Sequence, residues 1–142
     1  MKPIYEKITR IVLAGYTLLL AYWMLIGFGR AAHDIYMYNI RPFYTILYFL
    51  RAHGVFSEIW LVNMIGNIGV FVPFGILLPS LFGGRLRKPF SLFLLGIFVL
   101  ECLQLILKRG SFDVDDLILN SAGFMLGFCI YKLYDRNFKR RM

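Results

Sequence analysis

The chain has 142 residues, of which 59% are hydrophobic and 17% are charged, and its mean hydropathy is +0.66. A soluble domain of this length needs more polar surface, so the composition indicates a membrane protein. The net charge of +8 comes from basic residues that apolar runs separate, which argues against a nucleic-acid-binding surface. The positive excess is better explained as a topology signal and as attraction to anionic lipid.

Four runs with few or no charges predict an all-α integral membrane protein with four transmembrane helices. The spans are expected at about residues 9–29, 59–82, 89–108 and 115–134, within one transmembrane domain that covers residues 1–142. Eleven of the 16 Lys and Arg residues fall at the two termini and in the middle loop. The positive-inside rule therefore places both termini in the cytoplasm and the other two connections outside.

The first outward loop contains one helical pattern. Apolar residues recur at i, i+3, i+4 and i+7 after a proline that suits a helix start, which predicts an amphipathic helix over about residues 42–53. Such a helix would lie in the outer membrane interface, cap the ends of the spanning helices, or do both. The residues of the pattern are Pro42, Phe43, Ile46, Leu47 and Leu50.

Polar side chains on three of the spans are the candidate functional residues. Charged groups at membrane depth are costly to keep and indicate a functional site. With the predicted orientation, Asn67 on the second span, Glu101 and Gln104 on the third, and Asp116 and Asn120 on the fourth lie at one depth in the outer half of the bilayer. We therefore expect a polar pocket that opens outward.

Structural explanations compete with a functional one at some positions. The amides Asn63 and Asn67, one helical turn apart, could join neighbouring helices. Asp113 or Asp115 could cap the fourth helix, where acids suit the positive end of the helix dipole. Capping does not explain Glu101.

Two further patterns concern helix packing. Pro73 removes a hydrogen bond to the carbonyl of Gly69, so a kink is expected in the second span. Gly123 and Gly127 are four positions apart, which lets another helix approach closely, either within the chain or in a homodimer.

Several short motifs together resemble the VanZ-like membrane protein family. Their order and spacing are specific, although the arginine that many members carry three positions before the first aspartate is Gly110 here, with Arg109 one position earlier. Asn63 and Asp115 fall on variable positions of the pattern, so they rank below Asn67 and Asp116. The motifs are Asn39-Ile40-Arg41-Pro42-Phe43, Asn67-x-x-x-Phe71-x-Pro73-x-Gly75, Glu101-x-x-Gln104, and Asp113-x-x-Asp116-x-x-x-Asn120-x-x-Gly123-x-x-x-Gly127.

The resemblance implies a role in the bacterial plasma membrane and an association with resistance to the glycopeptide teicoplanin. It brings no established reaction, so the mechanism has to be argued from the site. The first hypothesis is that the pocket binds or masks an envelope lipid, a lipid-linked precursor or the antibiotic. Its binding residues would be Asn67, Gln104, Asp113, Asn120 and Arg41.

The second hypothesis is an intramembrane enzyme that acts on a lipid-linked cell-wall substrate. Glu101 and Asp116 would then be its acid–base catalysts. Glu101, Asp113 and Asp116 are also weak candidates for ligands of a divalent cation, since clustered carboxylates suit Mg²⁺ or Ca²⁺. A third hypothesis, a small transporter subunit, is less favoured because four spans show no detectable inverted repeat.

Overall fold

The computed structural model describes residues 2–27, 31–53 and 57–140, and the predicted end of the first span, residues 28–29, lies outside them. Within this part of the chain, helices dominate and two short strands pair. The elements are α1 (Lys2–Leu25), β1 (Met37–Asn39), α2 (Tyr44–His53), α3 (Glu58–Gly69), α4 (Val72–Leu81), α5 (Arg87–Ile106), β2 (Ser111–Asp113) and α6 (Val114–Arg140).

The described residues contain four helical stretches that are long and apolar enough to cross a membrane. The predicted four-helix membrane architecture is thus confirmed, and the chain is a multi-pass membrane protein. The second of these stretches combines α3 and α4. The stretches are Pro3–Leu25, Trp60–Leu81, Arg87–Ile106 and Val114–Arg136.

The second span is broken where the sequence predicts a kink. α3 ends at Gly69, α4 begins at Val72, and Pro73 lies in the first turn of α4, where a missing N–H costs little. Within the break, the carbonyl of Val70 accepts a hydrogen bond from the Tyr16 hydroxyl of α1 at 2.8 Å. A neighbouring helix therefore supplies a donor to the backbone at the break, next to the Gly69 carbonyl that the proline leaves without its helical partner.

Glycines bring α6 into backbone contact with α3 and α4. A Cβ atom on Gly123 would lie 2.1 Å from the Ile68 carbonyl oxygen, and one on Gly127 would lie 2.1 Å from the Val72 carbonyl oxygen. Only glycine allows this approach. The surface that was considered for a homodimer is thus occupied by the chain's own helices, and a dimer would have to use another surface.

Aromatic rings fill the space between α4, α5 and α6. Phe93 lies 4.7 Å from Phe124 and 5.6 Å from Phe71, measured between ring centroids, and all three side chains are buried. Such close ring contacts add specific attraction to the burial of apolar area. They fix one end of α5 while its other end holds the polar residues described below.

The parallel pairing of β1 with β2 was not predicted. Met37 pairs with Ser111 and Asn39 with Asp113, so the first loop runs beside the acidic connection between α5 and α6. Just before the strands, Lys108 reinforces this contact because its carbonyl accepts from the His33 amide at 2.8 Å. Strands of three residues carry too little alternation for sequence analysis to detect.

The predicted amphipathic helix exists as α2 and begins at Tyr44, two positions later than expected. It packs against α3 and α6, so it covers the ends of spanning helices. Its outer surface keeps large apolar and aromatic side chains exposed, namely Phe43, Tyr44, Leu47 and Tyr48.

Candidate functional site

Asp113 joins three parts of the chain through one buried carboxylate. Its Oδ1 accepts hydrogen bonds from Asn39 Nδ2 at 3.0 Å and from the Asp115 amide at 2.8 Å, and its Oδ2 accepts from the Thr45 hydroxyl. The bond from Asp115 caps the first turn of α6. Asp113 therefore fixes the start of α6 and holds the first loop to it.

Asp115 caps α2 from a distant part of the sequence. Its side chain is fully buried and accepts from the backbone amides of Phe43 and Ile46. α2 needs this cap because Phe43, just before its first residue, has no side-chain acceptor and lies at φ 63°. The sequence analysis ranked Asp115 below Asp116. The start of α2, which has no capping side chain of its own, was the feature that could have pointed to a role for Asp115.

Asp116 and Asn67 connect α6 to α3. The sequence analysis placed these two residues at the same depth in the membrane, and the contact agrees with that placement. Asn67 Nδ2 donates to Asp116 Oδ1 at 2.8 Å. Asn63, one turn earlier on α3, is half-buried. The structure thus brings together the amide and the acid that the motifs singled out on these two helices.

Glu101 and Gln104 are both buried on α5, with 1% and 4% of their surfaces exposed. Glu101 Oε2 accepts from the Asp113 amide at 3.3 Å, which ties α5 to β2. Gln104 Nε2 donates to the Met24 carbonyl at 2.7 Å, one of the carbonyls that the end of α1 leaves without a helical partner. The two candidate polar residues of the third span therefore face the interior of the protein.

Asn120 lies one turn after Asp116 on α6 and is 2% exposed. Its Oδ1 finds no hydrogen-bond donor among the residues that the structure describes. A buried acceptor without a partner costs about 1–3 kcal/mol, and such groups are uncommon in native proteins. A donor from outside the described residues would remove this cost.

Arg41 lies apart from the buried residues. Its side chain is exposed, and its backbone amide donates to Asn39 Oδ1 at 3.0 Å. Asn39 in turn donates to the Arg41 carbonyl at 3.2 Å. Arg41 is thus held through its backbone in the connection between β1 and α2, and its side chain is at the surface.

The three carboxylates considered for a divalent cation do not form a ligand set. Within the described ranges, no three His, Cys, Asp or Glu side chains are arranged to hold a metal ion. The oxygens of Asp113 accept from an amide, a hydroxyl and a backbone N–H, while Asp116 accepts from Asn67. Three neutral donors thus use most of the acceptor capacity of Asp113.

The buried and half-buried polar residues of this site are hereafter called the polar cluster. They come from β1, α3, α5, β2 and α6 and lie at the end of the molecule where β1 pairs with β2. A separate cavity of about 480 Å³ lies between α1, α4 and α5, and its lining shares no residue with the cluster. The cluster consists of Asn39, Asn67, Glu101, Gln104, Asp113, Asp115, Asp116 and Asn120.

The sequence pattern of the VanZ/LLP1 family matches residues 13–135, which include the second and third spans, nearly all of the fourth, part of the first and the whole polar cluster. The chain belongs to the VanZ/LLP1 family. Protein VanZ of Enterococcus faecium is similar to it, with 33% identity over 105 residues. These cover 72% of this chain and 57% of that protein, so the chain matches little more than half of the relative's length. No solved structure matches the chain.

Membership in the VanZ/LLP1 family confirms the resemblance that the sequence motifs indicate. Those motifs lie far apart in the sequence and meet in the fold, since the side chains of Asn39 and Asp113, 74 positions apart, are hydrogen-bonded. The motifs are therefore joined physically in this chain, since Asn39 donates to Asp113, Asn67 donates to Asp116 and the Asp113 amide donates to Glu101.

Proposed function

We propose that this protein contributes to glycopeptide resistance, of the teicoplanin type, at the bacterial plasma membrane. In this proposal the polar cluster faces outward and binds or masks an envelope lipid, a lipid-linked precursor or the antibiotic itself. The proposal applies to the described chain the role that its resemblance to the VanZ-like family implies.

The single observation that carries the proposal is the buried Oδ1 of Asn120, which has no donor in the described chain. It lies among residues whose other polar atoms are largely satisfied by one another. A site that is otherwise complete and leaves one acceptor open suits a ligand with a hydroxyl or amide donor. Lipid-linked sugars and glycopeptides both carry many such groups.

The surface above the cluster supports the same conclusion. Tyr38, Tyr44 and Tyr48 are exposed on β1 and α2, and the side chain of Arg41, in the short connection between these elements, is exposed as well. Aromatic rings with polar tips suit the membrane interface and the apolar parts of an amphiphile. The cation would attract a phosphate or another anionic group on the same ligand.

All four carboxylates have hydrogen-bond partners within the chain. Asp113 caps α6 and Asp115 caps α2, while Glu101 and Asp116, the two acids that the catalytic hypothesis needs, accept from the Asp113 amide and from Asn67. Binding requires no acid–base catalyst. We therefore favour binding over catalysis.

Replacement of Asn120 by leucine tests the proposal. Asparagine and leucine share the same branched arrangement of side-chain heavy atoms, although leucine is the larger, and the change removes a buried acceptor that has no partner in the described chain. The midpoint of thermal unfolding checks that the variant keeps the fold. Resistance to teicoplanin, measured as the minimal inhibitory concentration in a susceptible bacterial host, should fall to that of cells without the protein. Binding of labelled teicoplanin or lipid-linked precursor to purified protein in nanodiscs should fall in parallel.

Ser121→Ala is the matched control, because the neighbouring hydroxyl donates to the Leu117 carbonyl of its own helix. This control should keep full resistance. Full resistance in Asn120→Leu would refute the proposal. If Glu101→Gln or Asp116→Asn abolishes resistance while ligand binding persists, the protein is instead an enzyme or couples to an ion.

A further inference from the structure

The cavity between α1, α4 and α5 has a volume of about 480 Å³ and an almost wholly apolar lining. Thr17 is the exception, and its hydroxyl is already satisfied by the Leu13 carbonyl at 2.7 Å. Leu92, Leu95 and Val99 line the cavity from α5 and are 52%, 61% and 47% exposed. Because these helices span the membrane, the cavity is a groove that opens toward lipid hydrocarbon.

Helix α1 is the least buried of the four spans. In its most apolar window 11% of the residues are buried, against 28% in each of the others. Its contacts with α4 and α5 border the groove, so the chain itself leaves part of the α1 surface uncovered. An apolar occupant of the groove would complete the packing of α1.

Two basic residues lie beyond one end of the groove, on the helices that line it. Arg10 precedes Leu13 by three positions on α1, and Lys88 precedes Leu92 by four positions on α5, so each shares a helix face with a residue that lines the groove. Both are exposed. α1 and α5 run in the same direction across the membrane, which brings both cations to the same surface.

We propose that this groove and its two cations bind an anionic glycerophospholipid. One acyl chain would lie in the groove, and the phosphate would lie between Arg10 and Lys88. Arg10 is 3.9 Å from Glu6 in an exposed pair, and such pairs contribute little, so a phosphate can replace the carboxylate. Charge complementarity selects an anionic headgroup over a zwitterionic one.

Native mass spectrometry of the full chain in mixed micelles of phosphatidylglycerol and phosphatidylcholine tests the proposal. The unmodified protein should retain phosphatidylglycerol in preference to phosphatidylcholine. The double variant Arg10→Gln/Lys88→Gln should lower retention of phosphatidylglycerol by about fivefold for each cation removed and leave phosphatidylcholine unchanged. Arg87→Gln/Arg136→Gln, which removes two other exposed cations, is the matched control and should behave like the unmodified protein.

A second variant blocks the groove itself. A Cβ on Gly96 meets no atom within 4 Å, so Gly96→Leu adds a side chain to the groove without a clash in the fold. It should reduce retention of both lipids. Gly15→Leu, also on a helix and equally unhindered but outside the groove lining, should leave retention unchanged.

Equal retention of the two lipids by the unmodified protein would overturn the proposal, as would retention by Gly96→Leu at the level of Gly15→Leu. A loss that Arg87→Gln/Arg136→Gln shares with Arg10→Gln/Lys88→Gln would show a general effect of charge and would also overturn it. None of these variants alters the polar cluster, so the result is independent of the function proposed for that site.

Discussion

Asp115 and Asp116 are neighbours in the sequence, yet their side chains bind different elements. Asp115 accepts from two backbone amides at the start of α2, and Asp116 accepts from Asn67 on α3. Because α6 is already helical at this point, consecutive residues face directions about 100° apart. The two acids therefore hold separate parts of the polar end in place.

Replacement of Asp115 by asparagine should destabilise the protein. The carboxylate accepts two hydrogen bonds with its two oxygens, and the amide would turn a donor toward one of the two backbone N–H groups. An unsatisfied buried donor costs about 1–3 kcal/mol. A lower midpoint of thermal unfolding in detergent would measure the loss.

The exposed Asp34 supplies the control, since Asp34→Asn changes the same functional group at the surface. It should leave the midpoint unchanged. Asp115→Asn with an unchanged midpoint and unaltered protection of the α2 amides from hydrogen exchange would show that the cap is dispensable.

At the scale of elements, the contact between α6 and α3 depends on the absence of a side chain. A Cβ on Gly123 would lie 2.1 Å from a carbonyl oxygen and 3.0 Å from the carbonyl carbon of Ile68. Both are backbone atoms, so they cannot move aside as a side chain would. Either the two helices separate or the interface is lost.

Gly123→Ala should therefore destabilise the fold, by about 1–3 kcal/mol or more as expected for overpacking. Gly66→Ala is the matched control on α3, because a Cβ there meets no atom within 4 Å. That change should be neutral or mildly stabilising, since alanine is the better helix former. Comparison of the two unfolding midpoints decides the matter, and equal midpoints would contradict tight α6–α3 packing.

The features that sequence analysis predicted correctly are those with a local cause. Uncharged runs are long enough to identify the four spans, and Pro73 identifies the break between α3 and α4. The inward direction of Glu101 and Gln104 followed from their spacing on one helix face, together with the cost of leaving a carboxylate in lipid.

The features that sequence analysis missed depend on contacts between segments that are far apart in the sequence. Nothing local to Met37–Asn39 indicates a strand, because its partner is Ser111–Asp113. The cap that Asp115 gives to α2 likewise joins residues about 70 positions apart. The groove beside α1 results from imperfect packing between three helices, and its shape has no signature in any one of them.

At the scale of the whole molecule, the two membrane surfaces differ in chemistry. One end carries the polar cluster, the paired strands and exposed tyrosines, while the other carries exposed Arg and Lys residues at the starts of α1 and α5. The positive-inside rule predicts that the basic end lies in the cytoplasm. With that orientation, the ligand of the proposed function would approach the polar cluster from outside the cell.

Labelling of single cysteines with a membrane-impermeant maleimide tests this orientation. Cys102 and Cys129 are free thiols and must first be replaced by alanine. Ala32→Cys, in the exposed part of the first loop, should react in intact cells, whereas Arg85→Cys, exposed in the middle loop, should react only after the cells are permeabilised. Arg85 is a better reporter than the adjacent Gly84, which is buried at φ 73° with the Tyr131 hydroxyl 3.1 Å from an added Cβ. Reaction of Arg85→Cys in intact cells would show that the middle loop lies outside, which is the opposite orientation. The polar cluster would then face the cytoplasm, where it could not bind an external ligand.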